Sequence, residues 1–115
     1  MKWTVVEGRV AHWFSVLGIP ESKIRFLRPL EFNRLNGKLK LRKTDWGRCN
    51  RDTNTFTLAA YKMCLRNVDI TVLHEMIHLL YPLRSEDWVD KRAELIADYE
   101  RQDAVKATRK RAMSF

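Results

Sequence analysis

The stretch ITVLHEMIHLLYP, residues 70–82, decides how the rest of the chain is arranged. Its apolar side chains recur at the three- and four-residue spacing of a half-buried helix: Ile70, Leu73, Ile77 and Leu80. Pro82 restricts the residue before it to non-helical geometry, so the helix should end there. The pattern predicts a helix that carries His74 and His78 beside its buried stripe.

Within that helix, His74 and His78 are separated by one turn, and Glu75 follows the first of them. Residues four apart on a helix lie one above the other, so both imidazoles can bind one Zn²⁺ ion. Zinc with an open position lowers the pKa of a bound water to about 7. Glu75 can accept the proton of that water and pass it to a leaving group. H-E-x-x-H therefore predicts a zinc hydrolase, against the alternative of two partly exposed histidines flanking a solvated glutamate.

The length and charge of the chain limit what it can be. Its 115 residues predict one domain, 1–115, and 22 Lys and Arg against 14 Asp and Glu give a net charge of +8. Such a charge attracts nucleic acid or other anions. The alternative is that the basic side chains only form a solvated surface. No apolar run can span a bilayer and no secretory signal precedes Glu7, so we expect no membrane partner. Two cysteines without a disulfide or zinc-finger spacing favour a cytoplasmic protein.

The remaining sequence predicts an α+β fold. An N-terminal helix should end at Gly18, and Ser85 should cap a long C-terminal helix. Between the N-terminal helix and residue 58 the hydrophobic period changes to two, with Asn36-Gly37 as a hairpin signal and a further turn at 51–54. The predicted strands form a small, mainly antiparallel sheet: 24–28, 31–35, 38–42 and 55–58.

A catalytic zinc usually has three protein ligands, and the third must come from outside the H-E-x-x-H helix. The chain has only three histidines, and no H-x-x-G-x-x-H continuation follows His78, so we expect a carboxylate. Glu94 is the choice, because Ala93 and Ala97 beside it allow close approach of the two helices. Asp98, one turn on, can accept a hydrogen bond from a ligand imidazole. The alternative is a solvated acidic stripe.

A further donor should stabilise the oxyanion that develops during hydrolysis. The chain beyond the His helix offers three candidates for this donor, and the sequence does not rank them: Tyr99, Tyr81 and Arg84.

At these residues the chain resembles a known family. H-E-x-x-H at 74–78 followed by E-x-x-x-D at 94–98 is similar to the gluzincin signature. The small size and the element order look most like the minigluzincins, compact soluble relatives of Ste24-type peptidases. The resemblance implies a zincin-like fold and a zinc metalloendopeptidase with ligands His74, His78 and Glu94. It also implies Glu75 as the catalytic residue and Asp98 as a partner of a ligand.

In that family the strand before the His helix pairs with extended substrate. The matching residues are Thr55, Phe56, Thr57, Leu58 and Ala59. We expect a peptide or unfolded protein as substrate. A homodimer and nucleic acid are the other partners that the sequence leaves open. The family also resembles zymogens, so residues 103–115 are predicted to be an inhibitory tail that obstructs the cleft of their own or a neighbouring subunit. The alternative is a mobile tail, a frayed basic helix end with affinity for anions.

A second resemblance is to SprT-like proteases. Trp46-Gly47-Arg48-Cys49 and Arg84-Ser85-Glu86-Asp87-Trp88 are similar to W-G-x-C and H-S-x-x-[FW]. That family takes its third ligand from the histidine of the second motif. Here the position is Arg84, which stays protonated and cannot bind zinc. The alternative function is therefore a basic nucleic-acid-associated protein, either SprT-like or with a zincin fold whose zinc site is structural or idle.

Overall fold

The computed structural model describes residues 1–113, and the side chains of residues 1–61 and 63–103. Within that part the chain is an α+β protein with four α-helices, three strands and one 3₁₀ turn at Ala60–Lys62. In chain order the helices and strands are α1 Trp3–Leu17, β1 Arg25–Phe26, α2 Pro29–Asn36, β2 Gly47–Asn50, β3 Thr55–Leu58, α3 Leu65–Leu80 and α4 Glu86–Met113. None of the described helices combines the length and the apolarity that crossing a membrane requires.

The sheet is mixed, which corrects the mainly antiparallel prediction. Its strand order is β1-β3-β2: β1 pairs parallel with β3, and β2 pairs antiparallel with β3. The turn predicted at 51–54 joins the antiparallel pair, with Asn54 at a positive φ of 52°. All four residues of β3 are buried. β3 is therefore the central strand, and β2 is an edge strand.

Residues 29–36 form a helix where the sequence predicted a strand and hairpin. Pro29 lies in the first turn of α2, where its missing N–H costs nothing. Phe32 and Asn36 are one turn apart and both buried, so these residues follow a helical period rather than an alternating one. Gly37, with φ of 53°, ends α2 instead of making a hairpin turn. The Asn36 side chain donates to the Phe32 carbonyl at 2.8 Å and accepts from Asn50 Nδ2 at 2.8 Å, which fastens α2 to β2.

α1 packs against α3 and covers one side of the core. Its buried side chains are Val6, Val10, Trp13 and Phe14. The Trp13 indole N–H donates to the Asp69 carboxylate at 2.9 Å. Arg9 donates to both oxygens of the same carboxylate at 2.8 and 3.0 Å. These contacts fix the first turns of α3, so that its later turns present the two histidines on a rigid support.

α4 begins where the sequence predicted, since Ser85 Oγ accepts from the Trp88 backbone N–H at 3.2 Å. It packs antiparallel on α3 through a stripe of small, buried side chains, Val89, Ala93 and Ala97. The predicted inhibitory tail, 103–115, falls almost entirely beyond the residues whose side chains are described. The helix that carries it starts at the two histidines and runs away from them.

Candidate metal centre

α3 brings His74 and His78 together as their spacing predicts. Their Nε2 atoms lie 3.0 Å apart, and their side chains are only 17% and 12% exposed. Burial lowers the pKa of His78, and the neighbouring His74 lowers it further. The His78 imidazole is thus neutral around pH 7, which is the form that binds a metal ion.

Glu86, in the first turn of α4, completes a three-residue cluster. Its two carboxylate oxygens lie 2.8 Å from His74 Nε2 and 2.7 Å from His78 Nε2. The three ligand atoms all lie within 4.8 Å of one another, so they can hold a metal ion. Ligand atoms around a tetrahedral zinc are about 3.3 Å apart, given metal–ligand distances of about 2.0–2.1 Å. The observed spacings are a few tenths of an ångström shorter, so small side-chain shifts would admit the ion.

The outer nitrogens of the two rings have different surroundings. His74 Nδ1 lies 2.8 Å from the Asp90 carboxylate, one turn after Glu86 on α4. A proton held there leaves the lone pair of His74 Nε2 free to bind a metal ion. His78 Nδ1 is buried, and no hydrogen-bond partner lies near it among the described residues.

Glu75 lies beside the cluster and is 6% exposed. Burial raises its pKa to about 7, partly opposed by His74 and by a hydrogen bond from the Cys49 thiol. Burial and the adjacent Glu75 carboxylate raise the pKa of that thiol, so Cys49 stays protonated and keeps donating. A carboxyl group with a pKa near neutrality can both accept and release a proton.

Gly47 in β2 permits the close contact between the sheet and α3. A Cβ atom at this position would lie 2.8 Å from Thr71 Cγ2, 3.1 Å from the Thr57 carbonyl oxygen and 3.2 Å from Glu75 Cγ. Any side chain here would push β2 off the helix or displace Glu75. This close contact explains why the W-G-R-C stretch has a glycine at this position.

The cluster opens into a cleft of about 540 Å³ on the β2 side. A second cavity, of about 390 Å³, lies on the other side of Gly47 and reaches Trp46 and Ile70. His74, Glu75 and Glu86 line both cavities. A molecule bound at the cluster can therefore extend in two directions.

The structure brings Glu86, and not Glu94, to the two histidines. Three contacts define how α3 and α4 are aligned: His78 with Glu86, His74 with Asp90, and Arg66 with Asp98 at 3.6 Å. Each step of four residues towards the end of α4 corresponds to a step of four residues towards the start of α3. By this alignment, Glu94 lies opposite Ile70, between the His74–Asp90 and Arg66–Asp98 contacts. Glu94 is exposed and is about 12 Å along the helix from Glu86. It does not reach the histidines, and Glu86 does.

Asp98 is corrected for the same reason. It pairs with Arg66, not with a histidine, while Asp90 makes the contact that was predicted for it. A sequence signal for both residues exists. Glu86-Asp87-Trp88-Val89-Asp90 is itself an E-x-x-x-D pattern, eight residues before the one at 94–98. The pattern occurs twice on one helix face, and the first copy lies at the cluster.

The side chains of the three predicted oxyanion donors are all described, and none of them lines either cavity. The rings of Tyr81 and Trp88 pack with their centroids 5.6 Å apart. The guanidinium group of Arg84 lies over the Trp88 ring, 4.8 Å from its centroid. Tyr99 lies along a separate apolar groove beside Trp13. The cations that do line the cleft come from a region that the sequence interpretation did not select: Arg42, Arg48 and Arg51.

The predicted substrate-pairing strand is also corrected. The predicted residues, 55–59, comprise β3 and Ala59, and β3 has a partner on each side. The Ala59 N–H donates to the Trp46 carbonyl at 2.8 Å. β1 pairs only with Thr55 and Phe56, but every residue of 55–59 is buried, so this segment is not exposed to a peptide. β2 borders the cleft, and within the described residues it pairs with β3 alone.

Comparison of the chain with protein-family models, with curated proteins and with solved structures finds no match. The chemistry of the site is therefore inferred from its geometry.

Proposed function

We propose that this chain is a zinc-dependent endopeptidase in which His74, His78 and Glu86 hold the metal ion. One observation carries the proposal: a carboxylate from α4 converges on both histidines directly beside the buried Glu75. Two imidazole nitrogens and one carboxylate oxygen form a donor set of catalytic zinc sites, which leave a fourth position open. The ligand arrangement is that of the gluzincin resemblance, with Glu86 and Asp90 in the positions assigned to Glu94 and Asp98.

Zinc bound there would lower the pKa of a water molecule and polarise a scissile carbonyl. Glu75 is the group that takes up the proton, since its carboxylate is close to the cluster and its pKa of about 7 is near the working pH. The same carboxyl group then returns the proton to the leaving amine. The Cys49 hydrogen bond holds the Glu75 carboxylate in place.

Peptide is the proposed substrate because of the strand that borders the cleft. Within the part of the chain that the structure describes, β2 pairs with β3 on one side only, and an extended peptide can add to the other edge by main-chain hydrogen bonds. The cavities on both sides of the cluster would accommodate residues before and after the scissile bond. Cleavage within a chain, rather than removal of a terminal residue, is the activity that this two-sided cleft favours.

The experiment that tests this function compares wild type with Glu75→Gln and His78→Ala. Zinc content is measured by mass spectrometry, and hydrolysis is followed on an unfolded protein such as casein. We expect one zinc per wild-type chain and chelator-sensitive cleavage. Glu75→Gln should keep the metal ion and lose about 10²–10⁴-fold in rate, because the proton acceptor is lost. His78→Ala should lose both zinc and activity. A Glu75→Gln protein as fast as wild type would refute the proposed mechanism.

A further inference from the structure

Three arginines line the cleft on the β2 side, and two of them already have partners. Arg42 makes an ion pair with Asp45 at 3.2 Å, and Arg48 lies 3.7 Å from the same carboxylate. Arg48 also donates to the Leu39 carbonyl at 3.1 Å. These contacts hold the cleft wall together and pair the charge of both side chains with Asp45.

Arg51 differs from the other two. It is exposed, immediately after β2, and no acidic group lies within ion-pair distance of it among the described side chains. Asp52 is adjacent in sequence, and its backbone N–H donates to Asn50 Oδ1 at 2.9 Å. Arg51 lines the same cleft as His74, His78 and Glu86, so its guanidinium group faces the space beside the metal cluster. Arg51 is thus a cation at the edge of the cleft that has no carboxylate partner among residues 1–61 and 63–103.

A substrate bound at the cluster and extending along β2 would pass this side chain. The guanidinium group presents a planar set of donors that matches a carboxylate in a bidentate manner. We propose that Arg51 binds a carboxylate of the substrate and thereby selects peptides with an acidic group on that side of the scissile bond. The carboxylate is that of an Asp or Glu side chain or that of the peptide C-terminus. This inference rests on the proposed peptidase function.

A binding experiment tests the role of Arg51 without requiring turnover. The probes are two short hydroxamates of equal length, one with a terminal carboxylate and one with a primary amide, titrated calorimetrically into zinc-loaded protein. Wild type should bind the carboxylate probe about tenfold more tightly, as expected for a charge-assisted, partly exposed contact. Arg51→Gln should bind both probes equally. Arg34→Gln, which removes an exposed arginine from α2, should keep the wild-type preference.

Peptide substrates then identify the source of the carboxylate. One peptide carries an internal Glu and an amidated C-terminus, a second is neutral with a free C-terminus, and a third is neutral and amidated. In wild type, kcat/KM should be higher for the first or the second peptide than for the third. Arg51→Gln should abolish this preference.

Equal binding of the two hydroxamates by wild type, or a preference that survives Arg51→Gln, would overturn the inference while leaving the peptidase proposal intact. Failure of zinc-loaded wild type to bind either hydroxamate would reject both.

Discussion

The Nδ1 atom of His74 lies 2.8 Å from the carboxylate of Asp90, while Nε2 of the same ring faces Glu86. Asp90 and Glu86 are one turn apart on α4, so a single helix face contacts both nitrogens of one histidine. Asp90 fixes the orientation and the tautomer of the ring before any metal ion binds. His78 has no such partner within the described residues, so the two histidines are expected to contribute unequally.

We expect Asp90→Asn to weaken zinc binding by about 10- to 100-fold, the usual cost of losing an outer carboxylate partner of a ligand histidine. Competition with a chromogenic chelator measures the affinity. Asp87→Asn is the matched control, because Asp87 lies on the same turn of α4 but pairs with Lys91 at 3.1 Å. Equal affinities for the two variants would show that the contact with His74 does not orient a ligand.

Glu86→Ala should remove the third ligand and weaken zinc binding by at least about a hundredfold, more than loss of an outer partner does. Glu94→Ala should bind zinc as wild type does, because Glu94 lies level with Ile70 and is exposed. Metal content after dialysis against a weak chelator distinguishes the variants. Loss of zinc from Glu94→Ala, with retention in Glu86→Ala, would restore the ligand set that the sequence predicted.

Gly47→Ala should lower both stability and activity. The added Cβ would meet Thr71 Cγ2 at 2.8 Å and Glu75 Cγ at 3.2 Å, and strain of this kind costs about 1–3 kcal/mol. Urea unfolding measures the free energy, and casein hydrolysis measures the activity. Gly8→Ala is the control, because no atom lies within 4 Å of a Cβ built there and α1 tolerates alanine. A Gly47→Ala protein with wild-type stability and rate would refute the close contact.

Asp45 should make stability depend on pH. Burial alone would raise its pKa, but hydrogen bonds from the backbone and side chain of Arg42 outweigh burial and lower it. A carboxyl group whose pKa is lower in the folded state stabilises that state above its unfolded pKa of about 3.9. The stabilisation is lost as the pH falls through the lower folded pKa.

Asp45→Asn should therefore be less stable than wild type at pH 7, by about 1 kcal/mol, and the difference should shrink towards pH 3. Urea unfolding of metal-free protein at several pH values measures it. Asp52→Asn, which removes an exposed carboxylate from the same cleft wall, serves as the control. A constant deficit for Asp45→Asn across the pH range would contradict the assignment.

The sequence allowed the His helix, the 51–54 turn and the Ser85 cap to be predicted, because each depends on local spacing or on the chemistry of one residue. α2 was missed for a local reason as well. Asn36-Gly37 is a hairpin signal when strands flank it, but here the buried pair Phe32 and Asn36 follows a helical period. The glycine supplies positive φ in either structure, so it does not distinguish them.

The third ligand was missed for a non-local reason. Glu86 and Glu94 lie on one face of α4, and each has an aspartate four residues later. Which of them meets the histidines depends on how far α4 slides along α3. That alignment is set by the packing of Val89, Ala93 and Ala97 and by the length of the connection, and no local pattern encodes it. The partners of β3 are likewise a property of the assembled sheet.

The connection between α3 and α4 consists of residues 81–85. If one added residue were taken up at the start of α4, it would turn that helix by about 100° and shift it by about 1.5 Å. Glu86 would leave the histidines, and no carboxylate on the rotated helix would take its place. Loops usually tolerate insertions and deletions in evolution, but this one should not. Its length would be inherited with the proposed metal ligands, while its amino acids other than Ser85, which caps α4, could change.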